Sequence, residues 1–393
     1  MCPASTRWAS RPASPCGKAC AAHSRTRPTR ARRPAPHEHP ARPHTRPPVS
    51  ALGHTVLYLG PKSGTCLDRA NALRRIGCTV EHIDLRSLLP QHRWVDRWAW
   101  HVGGHWFSAL VAKGLVRTLE HKRFDLCHVD GGEWVTPTVL KILRDHAERV
   151  VNYNIDDPTG PRDGARFTAY RQSVGLYDLL AVVREDNLPE LEALGAHNAV
   201  RVYRSADEVN HAPRTLTVSQ RLAWMSEVLF LGSWFPERGP FLRDLIRLGV
   251  PLTIRGPNWH KAPEWSELKP HWAGGAIGGD QYAMAIQCSR VNLGLLSREN
   301  RDQHTTRSLE IPSLGGLLCA ERTHEHMAMY EEGVEALFWS NAEECAATCL
   351  QVLGDEPRRV RIAQAGHERF KQSDHRNEAV MRLLLEAVEA VAQ

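Results

Sequence analysis

The sequence predicts an α/β protein made of two Rossmann-like halves that face each other across a cleft, with a last helix folding back on the first half. Three observations predict it. Short apolar runs that close on glycine or an acidic residue alternate with amphipathic helical stretches, the rhythm of parallel βαβ units. The rhythm breaks near 205–227 and then starts again. Finally, 393 residues are too many for one ordinary core.

In the first half TVLYLG (55–60) reads as a strand, and the stretch after it places Leu67, Ala70, Leu73 and Ile76 at helical spacing. TVEHID (79–84), FDLCHV (124–129), RVVNYNI (149–155) and DLLAVV (178–183) follow as strands, with VTPTVLKILRDHA as a helix between two of them. In the second half VLFLGSW (228–234) is a strand and PFLRDLIRLG (240–249) its helix. LTIRG (252–256), RVNLGLL (290–296), GLLCAE (316–321) and ALFWS (336–340) continue the series. AEECAATCLQVLGD and NEAVMRLLLEAVEAVAQ are the clearest helices.

Hydrophobic content of 42% and charged content of 24% fit a soluble globular protein. The sequence has no apolar run of membrane-spanning length and no signal-peptide core, so a cytoplasmic protein without an integral membrane segment is expected. Ten cysteines without paired CxxC knuckles point to free, mostly buried thiols and to no metal site. Residues 1–50 hold nine Arg and one Lys against one Glu, a balance of +9, so the rest of this +6 chain carries −3. That Arg/Pro-rich tail has too few apolar residues to bury and is expected to be disordered. It lacks interleaved aromatics and any basic continuation in the body, so no nucleic-acid partner is expected.

The densest candidate site is HTTRSLEIPSLGG (304–316). Thr305 or Thr306 is placed to cap a helix whose N–H groups favour a phosphate, and Arg307 in the first turn can grip a diphosphate. His304, just before the cap, can donate a further hydrogen bond. Glu310, one turn on, has the wrong sign for phosphate and suits ribose hydroxyls. Pro312 should kink or shorten the helix. In GSWFPERG (232–239), Gly232 and Ser233 follow a strand where nucleotide phosphates settle in such folds, and Arg238 can reach them. In the first half NYNIDDP (152–158) puts Asp156 and Asp157 at a strand's carboxyl end, as acceptor-binding carboxylates, a general base, or simply a turn. The glycine turns GPKSG (60–64) and DGGEW (130–134) end two neighbouring strands. RWVDRWAWHVGGHWF (93–107) holds Trp94, Trp98, Trp100 and Trp106, which are expected to cover the core beneath a loop, with sugar stacking or a membrane surface as the other readings.

The stretches FLGSWFPERGPFLRDL, LTIRGPNW and TTRSLEIPSLGGLLCAERTHEHMAMYEEGVEALFWSNAEE resemble the donor domain of GT-B glycosyltransferases, particularly the CgeB-like spore-maturation group. The first half, from TVLYLG to RVYRSADEVNH, is similar to the acceptor half of that group, which often has the DDP. The resemblance covers residues 52–375. It implies an acceptor domain over 51–210, a donor domain over 228–375, a C-terminal helix over 376–393, and metal-independent hexosyl transfer from a nucleotide-diphosphate sugar to an unidentified acceptor, without a cofactor. It also implies that Glu310 is the second of two acidic residues that enclose seven others, the one that binds ribose. Asp302 stands at the first position, the donor-sugar contact, where the group usually has Glu. Arg238 matches the basic residue that pairs with the diphosphate. If transfer is retaining, the leaving phosphate can take the acceptor proton; if inverting, Asp156 or Asp157 is the base in view. An epimerase or hydrolase of the same fold, and a non-catalytic surface or spore-layer protein, are the alternatives.

Overall fold

The computed structural model describes residues 53–391. The Arg/Pro-rich segment 1–50, expected to be disordered, lies outside the described residues. The first half runs β1 (Thr55–Leu59), α1 (Gly64–Arg75), β2 (Thr79–Ile83), α2 (Arg93–Val102), α3 (Ser108–Leu119), β3 (Phe124–Asp130), α4 (Pro137–His146), β4 (Ala147–Asn154), α5 (Thr168–Ser173), β5 (Leu179–Val182), α6 (Asn187–Ala193) and β6 (Ala199–Arg201). The second runs α7 (Val218–Trp224), β7 (Ser226–Leu231), α8 (Arg238–Arg247), β8 (Leu252–Arg255), α9 (Trp265–Leu268), α10 (Gly279–Cys288), β9 (Ser289–Gly294), α11 (Arg307–Ser313), β10 (Leu318–Glu321), α12 (His324–Met329), β11 (Leu337–Trp339) and α13 (Ala342–Leu353). Helices α14 (Glu356–Gln372) and α15 (Asn377–Val391) close the chain.

Every pairing within the two sheets is parallel, with strand orders β2-β1-β3-β4-β5-β6 and β11-β10-β9-β7-β8. Strands covered on both faces need near-continuous apolar runs, which is why VLYL, LLAV and VLFL carry no alternation. Connections run to both sides of β1 and of β7. The order therefore reverses between β1 and β3 and between β7 and β9, and a crevice opens at the strands' carboxyl ends at each place.

Five residues of α15, Val380, Met381, Leu384, Leu385 and Val388, pack with Val56, Tyr58, Ala70 and Leu73 of the first half. The last helix thus folds back across the molecule, as the sequence predicts. The tryptophans of 93–107 correct an expectation. Only Val95 and Ala99 of α2 are buried, while Trp94, Trp98, Trp100 and Trp106 are between 43% and 64% exposed. They stand on the outer face of the helix and the turn after it, because two small positions suffice to seat α2 on the core.

Candidate functional site

At the β7/β9 crevice Arg238, the first residue of α8, is almost fully buried. Its guanidinium donates to the carbonyl of Ser233 beyond β7 (2.9 Å) and to those of Leu295 and Leu296 beyond β9 (3.2 Å each). Phe235 lies beneath it at 4.4 Å. Its partners are carbonyls rather than a carboxylate, and Nε has no partner. Burial pushes its pKa down to about 10, with Glu237 opposing and Arg307 reinforcing the shift. Arg238 thus ties two strand ends together and leaves a positive charge that an anion in the crevice would complement. Gly232 holds the turn open from beneath. Its carbonyl accepts from Trp259 Nε1 (3.0 Å) and lies 2.0 Å from where a Cβ on Gly256 (φ +141°) would stand, so that position requires glycine.

Helix α11 supplies the next part. Thr306 is at its N-cap but has helical backbone angles, and neither its side chain nor any other caps the helix. Instead the Ser308 hydroxyl accepts from the N–H of Thr305 (3.1 Å), which corrects the threonine-cap expectation. Pro312 sits in the last turn of this seven-residue helix, which is short as expected. Its missing N–H would have gone to the Ser308 carbonyl, and the Tyr330 hydroxyl donates there instead (2.9 Å). Gly315 (φ +76°) then ends the helix in a Schellman turn, with Gly315 N–H on Pro312 O and Gly316 N–H on Ile311 O (2.9 Å each).

Arg307 and Glu310 are bonded to each other. The Arg307 guanidinium bonds the Glu310 carboxylate and stacks 4.7 Å over Tyr282, whose hydroxyl donates to the same carboxylate at 2.5 Å. His211 Nε2 is 3.5 Å from its other oxygen. Burial disfavours the charged form of Glu310, but Arg307, then His211, override it and hold the carboxyl below its ordinary range. Arg307 remains 30% exposed. It lines a cavity of ≈ 500 Å³ between the halves with Glu310, Tyr282, His211, Gly278 and Gly279, opposite Gly64, Thr65 and Asp68 of the first half. Neither Tyr282 nor His211 is singled out by sequence reasoning. Tyr282 has ordinary helical surroundings, and His211 lies in the irregular stretch after β6.

The loop between β9 and α11 overturns two expectations. Asp302, assigned by the resemblance to the donor sugar, is buried and bonded to Arg184 and, at 3.1 Å, to Arg204, both from the first half. His304 is also enclosed: Nε2 accepts from the N–H of Arg204 (3.0 Å), so its single proton sits on Nδ1 and goes to Glu325. Burial, then Arg204, pushes its pKa far down, so it is neutral and has no hydrogen left for a phosphate. Arg301 pins Asp157 through two bonds (2.8 and 2.6 Å) and also Glu190 (2.7 Å). Asp157, buried and bonded to Asn187 as well (2.7 Å), is therefore unavailable as a base. The loop joins the halves through ion pairs, and Arg301, Asp302 and His304 line a separate cavity of ≈ 290 Å³ with Arg184 and Glu325 rather than the one that Arg307 lines.

Asp156 differs. It lines a cavity of ≈ 320 Å³ at the β1/β3 crevice with Gly60, Asp84, Asp130, Glu133 and Arg166, and Arg166 bridges it (3.0 Å) to Glu133 (2.5 Å). DGGEW and GPKSG both line this cavity, and GPKSG runs on to the larger one through Gly64. Deeper in, Arg69 grips Asp130 through two bonds (2.8 and 2.9 Å) and Tyr58 donates to the same carboxylate. Burial opposes ionisation of Asp130, yet Arg69 keeps its carboxyl below the usual range. Among the described residues one cluster of three thiols occurs, Cys319, Cys345 and Cys349, within 4.8 Å of one another and wholly inside the second core.

Residues 238–386, from Arg238 to within α15, match the family model described as glycosyl transferase-like. Among solved structures, HepE of Anabaena with UDP and glucose aligns over 86% of this chain and 100% of its own, at 14% identity and TM-score 0.59. Sucrose-phosphate synthase of Thermosynechococcus elongatus aligns over 86% and 98%, at 10% identity and TM-score 0.59. The fold is GT-B. A third GT-B relative, trehalose 6-phosphate synthase of Burkholderia multivorans, aligns over 87% of this chain and 97% of its own, at 12% identity and TM-score 0.57. No curated protein matches the chain. The two crevices described above belong to the two facing halves of the GT-B fold, and the family match falls on the half that carries Arg238, Arg307 and Glu310. No helix among the described residues is long and apolar enough to cross a membrane.

Proposed function

We propose that this chain is a glycosyltransferase of the CgeB-like group that moves a hexose from a nucleotide-diphosphate sugar to an acceptor. The cavity of ≈ 500 Å³ carries the reading, because Arg307, Glu310 and Tyr282 of one half meet the Gly64–Thr65 turn of the other there. HepE complexes with UDP and glucose and with UDP-glucose, on the same fold, support a nucleoside diphosphate as its occupant. The ribose would take the Glu310 carboxylate by sharing it with Tyr282 and Arg307. The diphosphate would lie between Arg307 and Arg238, whose charges meet the negative charge that grows on the leaving group. In this reading two arginines do the work of a metal. The acceptor would enter the ≈ 320 Å³ cavity, with Asp156 at its edge to receive the attacking hydroxyl's proton.

A panel of nucleoside-diphosphate sugars tests this by thermal stabilisation and then by sugar release. Arg307→Ala and Glu310→Ala should lose the stabilisation. Asp156→Asn should keep it and lose transfer. The reading fails if no nucleoside diphosphate stabilises the wild type, or if the Arg307 and Glu310 variants respond as the wild type does.

A further inference from the structure

We propose that the outer face of α2, the turn after it and α3 docks on an anionic lipid bilayer. Six large apolar side chains of this segment are exposed. Trp98 and Trp106 meet edge to face at 6.3 Å, Leu110 follows Trp106 four residues on, and Leu110 and Val116 stand at the two edges of the exposed face of α3. Four exposed cations, Arg93, Arg97, Lys113 and Arg117, are interleaved with them. The one acidic residue of α2, Asp96, is neutralised by Arg86 at 2.5 Å. The chain outside residues 1–50 is net acidic, so this basicity is local.

Tryptophan rims, aliphatic tips and flanking cations are what an interfacial helix presents to headgroups and upper acyl chains. Each cation near an anionic surface strengthens binding roughly fivefold. A glycan strand would use the tryptophan rings but has nothing for Leu110 and Val116. A second copy would bring the same four cations face to face.

The patch adjoins the smaller cavity. Arg166, which lines it, stacks 4.7 Å from Trp100, and Trp94 reaches Trp134 at the cavity wall through Phe107 (5.9 and 6.1 Å). Docking would therefore bring that cavity to the headgroup layer and favour an acceptor presented at a membrane surface. Only this last step rests on the proposed function; the docking does not.

Co-sedimentation of the full chain with vesicles of phosphatidylglycerol and phosphatidylcholine, beside pure phosphatidylcholine, tests the proposal. Binding to the anionic vesicles alone, released by salt, is expected. The double variants Trp98→Ser/Trp106→Ser and Arg97→Glu/Lys113→Glu should each weaken it by roughly tenfold or more. Their melting temperatures and their stabilisation by nucleoside-diphosphate sugars should not change, which separates this result from any failure of the donor site. The proposal is overturned if wild type ignores anionic vesicles, or if the double variants bind as wild type does, which would assign the binding to the arginines of residues 1–50. It is also overturned if the same substitutions abolish instead a dimer or the binding of a soluble glycan.

Discussion

In the cavity between the halves, one carboxylate collects an arginine, a tyrosine hydroxyl and a histidine edge. Glu310 is charged only because Arg307 and His211 outweigh its burial. Removing Arg307 therefore leaves a buried carboxylate with too little compensation. Arg307→Ala should cost about 2 kcal/mol at neutral pH, a value lowered for the guanidinium's partial exposure. The sign with pH follows from the direction of the shift. A carboxyl held below its unfolded value contributes its stability above about 4.5 and loses it as pH falls through the folded value. In the variant burial prevails and the carboxyl titrates upward, so its deficit should shrink as pH falls toward 5. Urea unfolding of both proteins at pH 8 and pH 5 measures this, and a constant gap would contradict it. The i,i+3 spacing of Arg307 and Glu310 puts them on one helix face, but the sequence reading gave each its own part of a ligand and did not pair them. The fate of Asp302 was not legible in the sequence, because Arg184 and Arg204, which bind it, lie about a hundred positions earlier, and no local pattern records such pairings.

The loop between β9 and α11 acts as a latch, since Arg301 and Asp302 both pair with residues of the first half. Arg301, then Thr159 and Asn187, pull the half-exposed Glu190 carboxyl down to about 2 against the effect of burial. Its contribution is present above 4.5 and lost as pH falls from there toward 2. Amide exchange of residues 184–190 and 297–303, corrected for intrinsic rates, should rise across that window. Arg301→Ala should show the faster exchange at neutral pH and no further step in acid; if the step persists, Arg301 is not the group that Glu190 senses. Strands and long helices of this architecture were legible because apolar runs and helical periods are local signals. Strand β6, only three residues long, and α7, in the stretch read as a break, gave too little period to see. The tryptophans of α2 misled for a related reason. Aromatic content reports buried area on average, but here Val95 and Ala99 alone face the core, so position on the helix decided exposure.

Across the whole molecule the two halves are joined by the latch, by Arg201 of β6 on Glu325 of α12, and by the last two helices. Helix α14 is tied to the second half, where His367 donates to Pro312 O (2.9 Å) and Arg369 to Met329 O (2.9 Å). Helix α15 then lies on the first half, where Arg75 of α1 bonds Glu378 at its start (2.7 Å) and Met381 and Leu384 enter the core around Tyr58 and Leu73. The first half therefore completes its core only with residues from the far end of the chain, and the two halves should unfold together. Leu384→Ala removes buried methyl groups where a helix and a sheet meet, and should cost about 3 kcal/mol. Because the lost contact is shared, the variant should still unfold in one transition, with tryptophan fluorescence and far-ultraviolet circular dichroism coincident at a lower urea midpoint. Leu385→Asp goes further: an unpaired carboxylate in that core should lift α15 away, and the first half should then unfold ahead of the second in a separate step. An unchanged midpoint in Leu384→Ala, or a single transition in Leu385→Asp, would mean that the ion pairs of the latch and of Arg201 hold the halves together without α15, which then only covers a surface.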